Sequence, residues 1–311
     1  ATLSVAASTN KNFTLADGSS ATFDITSGTN TFSGNISGAA SLTKSGAGSL
    51  ILSGNNTYNG GTTLNGVGRL KLASNTAVGT GPLILNGAPL EVNTTTITIS
   101  NAITINANTF IWNTANERTL TFTGSVLLTG NRTVNSNVGT SVATEYVNFA
   151  GSISDGGNGY GITIGAANGT FVFSGQNTFS GNITFNGGGN NPKLRMLYAP
   201  IGEIRWVQTG LLQFAPGFTT DLSSRIRNNT GAGGVVRIDT NGESVSFAAL
   251  DSTNTAGLLK SGLGTLTFTG SGNTIRGALQ STAGTLSFAG TFTTASRISA
   301  SDSAGNSGTL S

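Results

Sequence analysis

The chain has 311 residues, a formal net charge of +3 and 9% charged residues, against about 25% in ordinary soluble domains. So small a charge, spread over scattered basic residues, leaves no electrostatic footprint for nucleic acid. The absence of histidine removes the usual general base and commonest metal ligand, and no apolar run reaches the roughly 20 residues of a membrane-spanning helix.

Hydrophobic residues still make up 36%, and 46 positions are Gly. That is a β composition with many turns, not a disordered one. Cysteine is absent, as in a secreted chain that crosses a membrane pore unfolded, or by chance. Ala1 opens the chain without methionine, as after removal of a signal peptide or after trimming.

Residues 2–5, 13–15 and 21–25 read as strands around polar turns. Residues 42–70, LTKSGAGSLILSGNNTYNGGTTLNGVGRL, follow. Leu50 and Leu52 share one strand face, because strand side chains alternate. Gly and Asn mark the corners, where they tolerate positive φ. Residues 67–73 and 82–92 continue the rhythm, with Pro82 and Pro89 expected at strand starts or corners. In residues 94–105, Ile97, Ile99, Ile103 and Ile105 recur at two-residue spacing. No helical period of useful length appears.

The stretch 42–70 has copies. Residues 171–181, FVFSGQNTFSG, match 50–60 without a gap, and residues 259–270, LKSGLGTLTFTG, match 43–54. Phe171, Phe173, Leu266 and Phe268 should therefore point inward with Leu50 and Leu52. Gly54, Gly175 and Gly270 share one repeat position and are predicted to share a positive φ. Repeats too small to bury their own apolar face mean a stacked array.

Residues 42–70 and 258–286 resemble the autotransporter-associated β-strand repeat of bacterial autotransporter passenger domains. The pattern is L-x-K-x-G-x-G-[ST]-L-x-[LF]-[ST]-G, then N-T, an aromatic or aliphatic residue and a glycine corner. The first copy fits throughout; the second departs at Ile275 and Arg276. Asp239-Thr240-Asn241-Gly242 also resembles what often precedes this repeat. The resemblance implies a secreted right-handed β-helix, and says little about activity.

Residues 192–243 differ from the rest. Three of the five prolines lie there, with Trp206, the single methionine, Arg195, Arg205, Arg225, Arg227 and Arg237. The plain reading is a set of less regular coils whose charges are solvated. The functional reading is a contact surface of Arg195, Arg205, Trp206, Arg225 and Arg227, since Trp and Arg are favoured at binding hot spots.

Catalysis has weak footing. A glycosidase needs two carboxylates roughly 5 to 10 Å apart. Glu91, Glu117 and Glu145 are spaced near one coil length, as are Asp221 and Asp239, but nothing puts either set on one face. Residues 156–162, GGNGYGI, resemble a calcium-binding nonapeptide with Gly161 where the aspartate belongs; a glycine-rich corner is the better reading. No catalytic residue, cofactor or metal site is assigned.

The expected fold is one elongated right-handed parallel β-helix over residues 1–311, about 13 coils at the inter-strand spacing. The expected function is a non-enzymatic structural passenger-like adhesin or spacer, on the outer-membrane surface of a Gram-negative bacterium or released from it. The competing class is a polysaccharide-binding or polysaccharide-cleaving β-helix of lyase, glycosidase or tailspike type. Expected partners are a surface polysaccharide, a host surface, or further copies meeting head to tail. Such copies would pair through an uncharged end strand, Thr2, Leu3, Ser4 and Val5, into a filament.

Overall fold

The computed structural model describes residues 2–3, 8–113, 118–138, 146–167, 169–188, 191–228, 235–250, 257–271, 273–275, 277–294, 298–299 and 308–310. The chain is all-β, as the alternation predicts: short parallel strands stacked as a β-solenoid of about 12 turns. It divides into two compact units, residues 1–160 and 161–311.

In the first unit one sheet runs Thr2–Leu3, Ser20–Asp24, Ser41–Ser45, Thr62–Leu64, Leu83–Leu85, Ile103–Ile105, Val126–Leu128, Ile153–Ser154. A second contains Thr29–Phe32, Ser49–Leu52, Leu70–Leu72, Leu90–Val92, Thr109–Asn113 and Arg132–Val138. Strands pair with the coil before and the coil after. Leu42 meets Thr62, 20 positions on, and Val126 meets Ile153, 27 positions on. Inside, Leu50, Leu70, Leu90 and Ile111 form one continuous ladder. Thr62 interrupts a neighbouring apolar ladder, and its hydroxyl is satisfied by Tyr58 at 2.6 Å and by the Val78 carbonyl at 2.9 Å.

In the second unit the corresponding rungs are Thr170–Phe173, Lys193–Met196, Leu211–Phe214, Val236–Asp239, Leu258–Ser261, Leu279–Ser281 and Ile298–Ser299. Beside them stack Ile183–Phe185, Ile204–Trp206 and Ile226–Asn228, and further along Ser244–Phe247, Thr265–Phe268 and Gly284–Phe288. Phe247, Phe268 and Phe288 share one register, with ring centroids 5.8 and 5.4 Å apart.

The inward set matches the alternation: Leu50, Leu52, Phe171, Phe173, Leu266 and Phe268 are all buried. So are Ile97, Ile99, Ile103 and Ile105. Tyr58, Phe179 and Ile275, the variable position of the three copies, are buried alike. Pro82 and Pro89 each stand immediately before a strand, where the ring removes no ladder donor.

The turn expectation for the repeat glycines is corrected. Gly54 and Gly270 do not have positive φ. They are glycines because the coils approach there too closely for a side chain. A Cβ on Gly54 would lie 2.2 Å from the Gly34 carbonyl oxygen, and one on Gly270 would lie 2.1 Å from that of Ala248.

Candidate contact surface

The strand Ile204–Trp206 decides the predicted contact surface. Alternation turns Ile204 and Trp206 inward and Arg205 outward. Trp206 is fully buried, its ring stacked on Phe185 at 5.0 Å, and its indole N–H donates to the Gly210 carbonyl at 3.0 Å. It is a core residue and cannot anchor a surface; that expectation is corrected. The alternation of Ile-Arg-Trp carried the signal, whereas the mere presence of Trp beside Arg did not.

Two of the four arginines come together. Arg205 and Arg227 are register partners on adjacent coils, so two like charges face each other. Glu203 lies against both. Its carboxylate accepts from Arg205 Nε at 2.8 Å and Nη2 at 2.6 Å, and stands 3.3 Å from Arg227 Nε. Arg225 donates from its guanidinium to the Ile201 carbonyl. Tyr198 and Ile201, both about half exposed, lie in the connection between Met196 and Ile204. Arg195 is elsewhere, on the Lys193–Met196 strand. Its Nε donates to Gln213 at 2.7 Å, and Gln213 donates to Asp239 at 2.7 Å, a polar line crossing one coil per step.

In the first unit Arg69, Lys71 and Glu91 meet at the second sheet. Lys71 faces Glu91 across one coil. Glu91 is 2% exposed and receives Arg69 at 3.1 Å and Lys71 at 3.3 Å. It is thus a neutralised acid. Glu117 and Glu145 lie outside the described residues. Asp221 accepts backbone N–H groups of Ser223 and Ala248, each at 2.8 Å, and Asp239 accepts that of Asn241 at 2.8 Å. These acids hold corners and ladders. Among the described residues, no group of three or more His, Cys, Asp or Glu side chains is placed to hold a metal. The glycine-rich stretch is a corner: Gly156, Gly157 and Gly159 have positive φ, and the Asp155 carboxylate accepts the Gly157 N–H at 2.9 Å.

Two residues escaped the sequence reading of function. Lys44 and Lys260, the lysines of the two L-x-K copies, point inward and are fully buried. Lys44 Nζ donates to the carbonyls of Ser45 at 2.7 Å and Gly46 at 3.0 Å. Lys260 Nζ donates to Ser261 at 3.0 Å, Gly262 at 2.5 Å and Ala283 at 3.0 Å. Burial pulls both ammonium groups down to about 8; the carboxylates of Asp24 and Asp239 act against that, each on its own lysine. The signal was a lysine at the same inward position of both copies.

Of the predicted end strand, Thr2 and Leu3 pair with Thr22 and Phe23 as the outermost strand of their sheet; Ser4 and Val5 lie outside the described residues.

A family model described as Passenger-associated-transport-repeat matches residues 42–72, 168–189 and 258–288. The middle match covers the FVFSGQNTFSG copy. No curated protein and no solved structure matches the chain. Repeats of this kind belong to secreted or surface proteins, and no helix among the described residues is long and apolar enough to cross a membrane. The chain is therefore a passenger-type β-solenoid, carrying at three places the repeat of autotransporter passengers.

Proposed function

We propose that this chain is a non-catalytic passenger segment, a rigid spacer or adhesin displayed on the surface of a Gram-negative bacterium. The observation that carries the reading is how its charges are used. Glu91, Glu203, Asp221 and Asp239 are each engaged by a cation or by backbone N–H groups. A hydrolase or lyase of this architecture needs uncommitted carboxylates facing a groove. What the surface offers instead is Tyr198, Ile201, Arg205, Arg225 and Arg227 in the second unit, a mixture of aromatic and arginine side chains suited to holding a partner.

The test displays the chain on a bacterium that lacks it and measures attachment to host cells and to immobilised surface polysaccharides. Product release from the same polysaccharides is followed in parallel. Attachment that falls when Tyr198 and Arg225 are replaced by alanine supports the adhesin reading. Attachment indifferent to those changes leaves the spacer. Release of sugar products overturns both. Self-assembly is read separately by sedimentation of the purified chain, with Thr2 and Leu3 as the edge where a second copy would add.

A further inference from the structure

Four successive strands of the second unit, Lys193–Met196, Leu211–Phe214, Val236–Asp239 and Leu258–Ser261, carry on their outward face charges that the fold does not use. One column of that face reads Lys193, Leu211, Arg237, Leu259, one residue per rung. Lys193 is the register partner of Leu211 and Arg237 that of Leu259; the middle rungs join through the neighbouring pair Leu212 and Ile238. All four side chains of the column are half-buried. Cation and apolar side chain therefore alternate at the inter-strand spacing of about 4.8 Å, which sets the backbones of Lys193 and Arg237 about 10 Å apart along the stack.

Arg237 differs from its kind. Every other arginine among the described residues meets a carboxylate, an amide or a backbone carbonyl. Arg237 has no such partner, and its Nε is buried without a hydrogen bond. A covered donor left unmade costs free energy and asks for a reason. Asp239, the one acid on the four strands, is engaged already: it accepts from Gln213 at 2.7 Å and from the Asn241 N–H at 2.8 Å. Arg195, on the same outward face as Lys193, uses its Nε on Gln213. Lys193, Arg195 and Arg237 thus face outward, and none of them stands in a described ion pair.

Three unpaired cations call for an anion, and the guanidinium fork calls for a planar one such as a carboxylate. The spacing selects the polymer that carries it. An extended peptide repeats its same-side groups about every 7 Å, out of step with Lys193 and Arg237. A sugar residue in a linear polysaccharide is about as long as one rung. A chain that alternates acidic and neutral sugars therefore sets an acid against each cation and an apolar ring face against each leucine.

We infer that this column is a binding strip for a linear acidic polysaccharide with one carboxylate per disaccharide. The polymer lies along the stack. Arg237 holds one carboxylate through paired N–H donors, Lys193 neutralises the next acid, and Leu211 and Leu259 lie under the neutral sugars. The inference deepens the adhesin reading by naming the class of partner, and rests on it.

The test titrates the purified full chain with hyaluronan oligosaccharides, whose sugars alternate acidic and neutral. Chitin oligosaccharides of equal length are the neutral comparison and poly-glutamate is the acidic peptide. Hyaluronan should bind, more weakly as salt rises, and both comparisons should bind at least about tenfold more weakly. Arg237→Leu should lower the hyaluronan affinity about tenfold or more, Arg237→Lys should restore little of it, and Lys193→Ala should lower it by less. Lys11→Ala removes the same charge in the first unit and should bind like the parent. Since Arg237 makes no hydrogen bond within the fold, Arg237→Leu should leave the thermal midpoint unchanged or raised; a lower midpoint would make Arg237 a structural residue and overturn the assignment. Undiminished binding by Arg237→Leu overturns it too, as does equal binding of chitin or poly-glutamate. Tyr198→Ala with Arg225→Ala should keep hyaluronan binding, and loss there but not in Arg237→Leu moves the site away from the strip. A chain that binds no hyaluronan overturns the strip; if its displayed form still attaches to host cells, the adhesin reading stands without it.

Discussion

Gly54 stands so closely over Gly34 that no side chain fits between the two coils; the Cβ of an alanine there would be 2.2 Å from the Gly34 carbonyl oxygen. Because the obstacle is backbone, it cannot rotate away. Gly54→Ala should lower stability by about 1–3 kcal/mol or more. Gly18 is the control. It has positive φ but nothing within 4 Å of its missing Cβ, so Gly18→Asn should stay within about 1 kcal/mol of the parent. Urea midpoints of the two variants check the contrast.

Phe173 fills the interior between coils and faces Met196 across one rung. Phe173→Ala should cost about 3–5 kcal/mol, if the neighbouring ladder cannot close the space. Calorimetry on the full chain measures it; a midpoint equal to the parent's would break the alternation on which the inward assignment rests.

Stability should rise with pH between about 8 and about 10. The folded ammonium groups of Lys44 and Lys260 lose their protons near 8, whereas in the unfolded chain they hold them to 10.5. Across that window the unfolded state binds more protons, which makes the slope of unfolding free energy against pH positive. Asp24 and Asp239 moderate the effect by favouring the charged form. Tyr58 works in the opposite sense: burial pushes its phenol up, so above about 10 the unfolded chain ionises first and stability falls. Denaturant midpoints from pH 7 to 11 should therefore pass through a maximum near 10, and Lys44→Met with Lys260→Met should flatten the rising limb alone.

The two carboxylates that bridge cations should differ. Glu91 is 2% exposed, with Arg69 and Lys71 as partners, and Glu203 is 33% exposed. Glu91→Gln leaves two cations around a covered amide and should cost about 2 kcal/mol or more. Glu203→Gln should cost less than about 1 kcal/mol, because water takes over the screening. Chemical denaturation of both variants at low and at 0.5 M salt, a roughly fourfold shorter screening range than at 0.03 M, reads the difference.

The architecture was legible because burial in a stacked coil follows a two-residue period, and the apolar residues of 97–105 and 266–268 keep to it. Trp206 was misplaced through reading its type in preference to its phase: Ile204, two residues earlier, already marked the inward face. The role of Gly54 and Gly270 was hidden for another reason. A positive φ is a property of one residue and its neighbours, while the contact that forbids a side chain comes from a backbone some 20 residues away. The lysines of the two copies were visible as letters, but the corner carbonyls that meet each ammonium take their places only once the strand is followed by its turn.

Among the described strands of each unit a rung is paired with the rungs before and after it, as Leu70 is with Leu50 and Leu90. Under a pulling force along the stack, such a ladder has no long-range cross-tie to share the load. It should yield one coil at a time from an exposed end. Each event would free a loop of the size that separates Leu42 from Thr62 or Val126 from Ile153, some 70 to 90 Å of extended chain. A surface fibre made this way would be stiff against compression, yet would absorb shear by paying out length in small steps, and could rewind when the load passes.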